Sequence, residues 1–200
     1  MALRLPGAFG QRLAETEIMS SYPSIYVASL GDYNCGRLHG TWIELDVYTL
    51  TLDDVMEKVS AMLKASPSVA VGATDVAEEY AVHDAEGFGK YDVGEFDSIE
   101  RLYRIAELMT ENGEAFSAWL AEKGDLEEAE ETWEDAYRIT VDSVTCWAYE
   151  DFAEMHPEAA KAADDLHYLE FDPDAYILGL ETDGYTFLAL ANGETAIFCE

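Results

Sequence analysis

The sequence predicts an α+β fold of three small units in a row, on three observations. Strand-like runs with turn chemistry stand near both ends, helical periodicities with recognisable caps fill the middle, and the joints between those helices are short. Hydrophobic residues make up 49% of the chain and aromatic residues 12%, so a core can be buried despite a formal charge of -31 on 200 residues.

The first strand is expected from Ser24 through Ile25, Val27 and Leu30, and a turn-forming loop from Gly31 to Gly36 leads to a second strand over Leu38 to Leu45. An antiparallel pair follows from that order. Asp53-Asp54 opens a helix in which Leu52, Val55, Met56, Val59, Met62 and Leu63 recur at helical spacing, and Ser66-Pro67 closes it. Residues 78–84 read as a further strand, and glycines at 87, 89 and 94 mark a boundary near residue 95.

Three helical patterns follow, over 98–111, 114–123 and 126–139. Asp97-Ser98 and Asp125 are the expected N-caps, and Asn112-Gly113 and Gly124 the expected stops. Short loops between them imply antiparallel packing. Shorter helical patterns lie at 149–155 and 159–166, separated by Pro157. The tail reads as a β-hairpin over 185–199, with Asn192-Gly193 as a type I′ turn. The units expected are a loosely ordered extension (1–23), an antiparallel sheet plus helix (24–95), a helical bundle (96–140) and a mixed sheet and helix unit (141–200).

Charge is distributed regionally. Residues 1–74 hold 8 acids and 5 bases, whereas residues 75–200 hold 34 acids and 6 bases. Such a surface repels itself and repels nucleic acid at long range, so a strongly basic partner surface is expected. Cys35, Cys146 and Cys199 are far apart, which suits reduced thiols in a cytoplasm. The first twenty residues lack the apolar core of a signal peptide, and no run approaches the roughly 18 apolar residues of a membrane span.

The segment 126–137 concentrates the excess. Leu126, Ala129, Trp133, Ala136 and Tyr137 share one helical face; Glu127, Glu128, Glu130, Glu131, Glu134 and Asp135 cover the other, with no base between Lys123 and Arg138. Like charges four residues apart cost about 0.2–0.5 kcal/mol each. The helix dipole favours acids only in the first turn, so Glu134 and Asp135 are not explained by it. Duplex DNA carries one charge per about 1.7 Å, so 31 charges match roughly 50 Å of duplex. A field of that kind can imitate DNA, although charge count alone equally describes a halophile-type acidic protein or an acidic module for another basic partner. Halophilic adaptation predicts acids throughout, against the near-balanced first 74 residues.

Catalytic and metal readings fare poorly. Cys35 and His39 have ligand spacing without two further ligands nearby, and Asp172-Pro173-Asp174 opens like a calcium loop but has Ile177 where glycine is required. His83-Asp84, His156 and His167 have no nucleophile signature beside them, and Gly87-x-Gly89 does not continue into a phosphate loop. No enzyme activity, metal or cofactor is expected.

Several segments resemble the ArdA antirestriction proteins. They are Ile25 to Asn34 with Gly36 and Gly40-Thr41-Trp42-Ile43, Glu78 to Phe88, Gly94 to Glu100, Glu134-Asp135-Ala136-Tyr137, Tyr149 to Ala153, Phe171 to Tyr176, and Gly184 to Phe187. They occur in order across residues 24–200. The resemblance implies an elongated monomer that dimerises into an acidic mimic of bent B-form DNA. Such a mimic occupies the DNA-binding groove of type I restriction-modification enzymes, on the specificity and methyltransferase subunits, and spares incoming mobile DNA. The mimic surface is expected to include Glu107, Glu111, Glu114, Glu122, Asp125, Glu127, Glu128, Glu130, Glu131, Glu134, Asp135, Asp142, Glu150, Asp151 and Glu154. Tyr137, Trp147 and Tyr149 are the candidate dimer contacts. After Tyr137 the family pattern continues with a glycine and an aromatic, where this chain has Arg138-Ile139-Thr140-Val141.

Overall fold

A computed structural model describes residues 22–94, 97–166 and 169–200. The extension expected over residues 1–23 lies outside the described residues except for Tyr22 and Pro23; the boundary expected near residue 95 and His167 also lie outside them. The fold is α+β, with two small antiparallel sheets and intervening helices.

Strands β1 (Ser24–Ser29), β2 (Gly40–Glu44) and β3 (Tyr80–Glu86) form the first sheet in the order β2-β1-β3. Ile25 stands opposite Ile43, and Ile25, Val27, Ile43 and Leu45 all point into the core. Helix α2 (Leu52–Lys64) covers that face with Val55, Val59 and Met62. Thr51 and Asp54 close a reciprocal capping box at its start, which satisfies two otherwise orphaned backbone donors. In β3 the pairing shifts across His83, leaving it as the extra residue of a β-bulge.

The expected loop at 31–36 instead begins as a helical turn, α1 (Leu30–Asn34). Ser29 caps it by accepting the Asp32 N–H, and the fully buried Asp32 carboxylate accepts the Ser68 N–H at 2.8 Å. Ser68 belongs to α3 (Pro67–Ala70), so Ser66-Pro67 not only ends α2 but starts a new turn. Burial pushes the Asp32 carboxyl up, but the Ser68 N–H and the clustered hydroxyls of Ser68, Ser66 and Ser29 outweigh it and hold the group well below the usual carboxylate range.

Helices α4 (Ile99–Asn112), α5 (Glu114–Lys123) and α6 (Leu126–Ala136) follow. The helix expected over 126–139 ends at Ala136, because Tyr137 turns to ψ 132° and starts strand β4 (Tyr137–Val141). The β-branched run Ile139-Thr140-Val141 favours that outcome. Then come α7 (Val144–Met155), α8 (Pro157–Asp165) and α9 (Pro173–Thr182), followed by β5 (Tyr185–Ala189) and β6 (Thr195–Cys199). The second sheet runs β4-β6-β5. Strand β4 therefore spans residue 140 and pairs with residues 195–198 of the carboxy-terminal segment.

The β5–β6 hairpin does not use a two-residue type I′ turn, which needs positive φ at both central residues. Asn192 keeps a negative φ, the Gly193 N–H donates to Leu190, and Gly193 takes φ 92°. Three residues close the loop, with a glycine in the left-handed position.

One core runs from β1 and α2 through α4, α5 and α6 to β6. Aromatic stacking fastens its far end, with Trp119 on Phe198 at 4.4 Å and Trp133 on Tyr137 at 4.7 Å between ring centroids. A smaller aromatic group, Phe152, Phe171 and Tyr176, joins α7 to α9.

Candidate functional site

Helix α6 owes its orientation to its apolar side. Ala129, Trp133 and Ala136 are buried, and Trp133 meets Phe116 of α5 and Phe198 of β6 edge-on at 5.5 and 5.8 Å. Asp125 caps the start by accepting the Glu128 N–H at 3.0 Å. With about 100° per residue, burial of that side turns Glu127, Glu131, Glu134 and Asp135 outward together within an arc of about 100°. All four are exposed, and none of their carboxylates has an ion-pair or hydrogen-bond partner among the described residues. A continuous stripe of bare carboxylates results.

Glu128 and Glu130 flank the stripe and are paired. The Lys123 ammonium lies 3.7 Å from Glu128, and Arg104 contacts Glu130 while reaching Glu107 at 3.1 Å. In sequence all six acids of α6 share one face; apposition of neighbouring helices divides them.

The other expected acids are dispersed over several elements. Glu111, Glu122, Asp142, Glu150 and Glu154 are exposed and unpaired among the described residues. Glu114 accepts the Ala191 N–H at 2.6 Å, which ties α5 to the hairpin loop. Asp151 accepts the Tyr176 hydroxyl at 2.8 Å; burial first, and this hydrogen bond second, push that phenol up to about 12. Further exposed acids outside the expected set include Asp84 and Glu86 on β3, Glu158, Asp164 and Asp165 on α8, and Asp174 and Glu181 on α9. The regional charge excess was the signal for them.

Of the candidate dimer contacts, Tyr137 is half-buried in the aromatic cluster and its hydroxyl lies 3.1 Å from Thr140 Oγ1. Trp147 packs edge-on against Phe187 at 5.8 Å. Tyr149 is 51% exposed and touches Phe171 with one edge.

Groups weighed for chemistry have local roles. The His39 Nε2 lies 2.8 Å from the Met62 carbonyl oxygen, Asp172 caps α9, and His83 packs edge-on against Tyr33 at 5.1 Å. Among the described residues no three His, Cys, Asp or Glu side chains are grouped to hold a metal ion, and no helix is long and apolar enough to cross a membrane.

The family model for antirestriction protein (ArdA) matches residues 25–192, more than four-fifths of the chain. The chain belongs to the ArdA family. Antirestriction activity, directed at restriction enzymes in general, comes with that membership. ArdA proteins are inhibitors. No curated protein matches the chain.

Proposed function

We propose that the chain inhibits a type I restriction-modification enzyme by placing its carboxylates where DNA phosphates sit, in the groove formed by the specificity and methyltransferase subunits. The observation that carries this reading is the stripe of exposed, unpaired carboxylates on α6, with further exposed acids on α4, α5 and α7. Lysines and arginines of such a groove meet carboxylates in place of phosphates. The field steers association, and affinity falls as salt screens it. No bond is made or broken and no cofactor takes part.

Action in the cytoplasm, where incoming mobile DNA is cleaved, belongs to the same reading. So does a homodimer of such chains. Tyr149 is the candidate contact most available to a second copy, whereas Trp147 packs on Phe187 and Tyr137 on Trp133 within their own chain.

Competition binding tests the proposal. A labelled duplex bound to a type I methyltransferase should be displaced by the protein at low salt and progressively less as salt rises. Failure to displace it at any salt concentration refutes DNA mimicry.

A further inference from the structure

We infer that Arg104 and Lys123 are positioning residues for inhibition, holding the carboxylate stripe of α6 in place from its two sides. The inference rests on the reading of that stripe as the inhibitory surface. Residues 75–200 contain only six bases, and a surface selected for negative charge alone has no use for them. Four are turned toward neighbouring protein groups. Arg101 pairs with Asp97 at 3.2 Å, and Arg138 donates to the Asp135 and Cys199 carbonyl oxygens. Arg104 and Lys123 converge on α6 itself.

Arg104 projects from α4 and grips Glu130 along one margin of the stripe, with Glu107 steadying the guanidinium. Lys123, at the end of α5, grips Glu128 along the other margin. Its side chain is only 13% exposed, its ammonium lies 4.5 Å from the Trp119 ring centroid, and it also contacts Glu200 at the carboxy end. One cation thus joins α5, α6 and the residue after β6. Glu128 and Glu130 are the two acids of α6 nearest its buried side on the helical wheel, so pairing them leaves the outward stripe bare. Like charges along that stripe push the helix to twist or fray, and the two flanking cations oppose that motion.

Charge and position therefore make opposite predictions. The double substitution Arg104→Gln with Lys123→Gln makes the chain more negative by two charges. A field acting alone then inhibits as well as the parent or better. Under the inference, inhibition of DNA binding by the methyltransferase weakens by threefold or more. Amide hydrogen exchange along 127–135 in the isolated protein accelerates, while the β2-β1-β3 sheet keeps its protection. The paired swap Arg104→Lys with Lys123→Arg keeps both charges in place and keeps most of the inhibition, so it decides the matter even where the glutamine variant is globally loosened. Undiminished inhibition, unchanged exchange along α6, or a paired swap as defective as the glutamine variant overturns the inference. Failure of the parent protein to displace DNA refutes mimicry instead, and the exchange measurement still tests the two cations.

Discussion

Substitution of Glu131 by Gln should stabilise the protein and weaken it as an inhibitor. Glu131 sits mid-stripe, exposed and unpaired among the described residues, with Glu127 four residues before it, Asp135 four after and Glu134 three after. Each of these like-charge neighbours costs about 0.2–0.5 kcal/mol, so removing all three repulsions stabilises by about 0.5–1.5 kcal/mol at low ionic strength. Glutamine has nearly the same helix propensity, and position 131 is beyond the first turn, so little dipole energy is lost. For a chain of this size 1 kcal/mol corresponds to about 2–4 °C in Tm. Circular dichroism melts in low-salt buffer should show a rise on that scale, and the rise should shrink in high salt. Competition against duplex DNA should show affinity falling about two- to threefold, as expected for one exposed charge in a distributed field. The reasoning fails if Tm stays level or drops, or if this one change abolishes inhibition, which would mark a discrete hot spot.

Asp32→Asn tests the buried link between α1 and α3. Its folded pKa is lowered, so the carboxylate's contribution is complete above the unfolded pKa of about 4 and is lost as pH falls below that toward the folded value. The variant should lose roughly 1.5–3 kcal/mol at pH 7 in urea unfolding and show less additional destabilisation than the parent below pH 4; a parallel pH profile contradicts the assignment. Trp119→Ala removes the ring stacked on Phe198 and the indole N–H donated to Thr132 Oγ1 at 3.0 Å, and should cost about 3–5 kcal/mol by chemical denaturation. The protein should remain folded at about 10 mM salt, where self-repulsion is strongest; unfolding there, read by near-ultraviolet circular dichroism, would favour halophilic adaptation over mimicry.

Local punctuation explains which elements were legible from sequence. Helix α5 lies where expected because Gly113 and Gly124 bracket it at φ 76° and 75°. Helix α9 goes beyond the sequence expectation: Asp172 as N-cap and Pro173 at the first helical position are a start signal, but the Asp-Pro-Asp opening equally suits a loop. Helix α7 begins at Val144, five residues before the expected start, with Ser143 as its cap. Tyr137 extended the helical spacing of Trp133 by one turn in sequence, yet it stacks on that ring from the start of a strand. Outward and inward faces of α6 were readable from period alone. The division between bare and paired acids was not, because Arg104 and Lys123 reach α6 only through the packing of α4, α5 and β6.

Helix α6 passes into β4 without an intervening residue, Ala136 ending one and Tyr137 starting the other. There is no slack at that joint to absorb a change in chain length. With β4 held against β6 and Trp133 locked over Tyr137, a single residue added within the last turn of α6 would rotate everything before it by about 100°. Glu127 and Glu130 would then sweep toward the interior while Ala129 swung toward solvent. The direction in which this protein displays its charge is thus set by counting residues back from a strand, which makes α6 far more tolerant of substitution than of insertion or deletion.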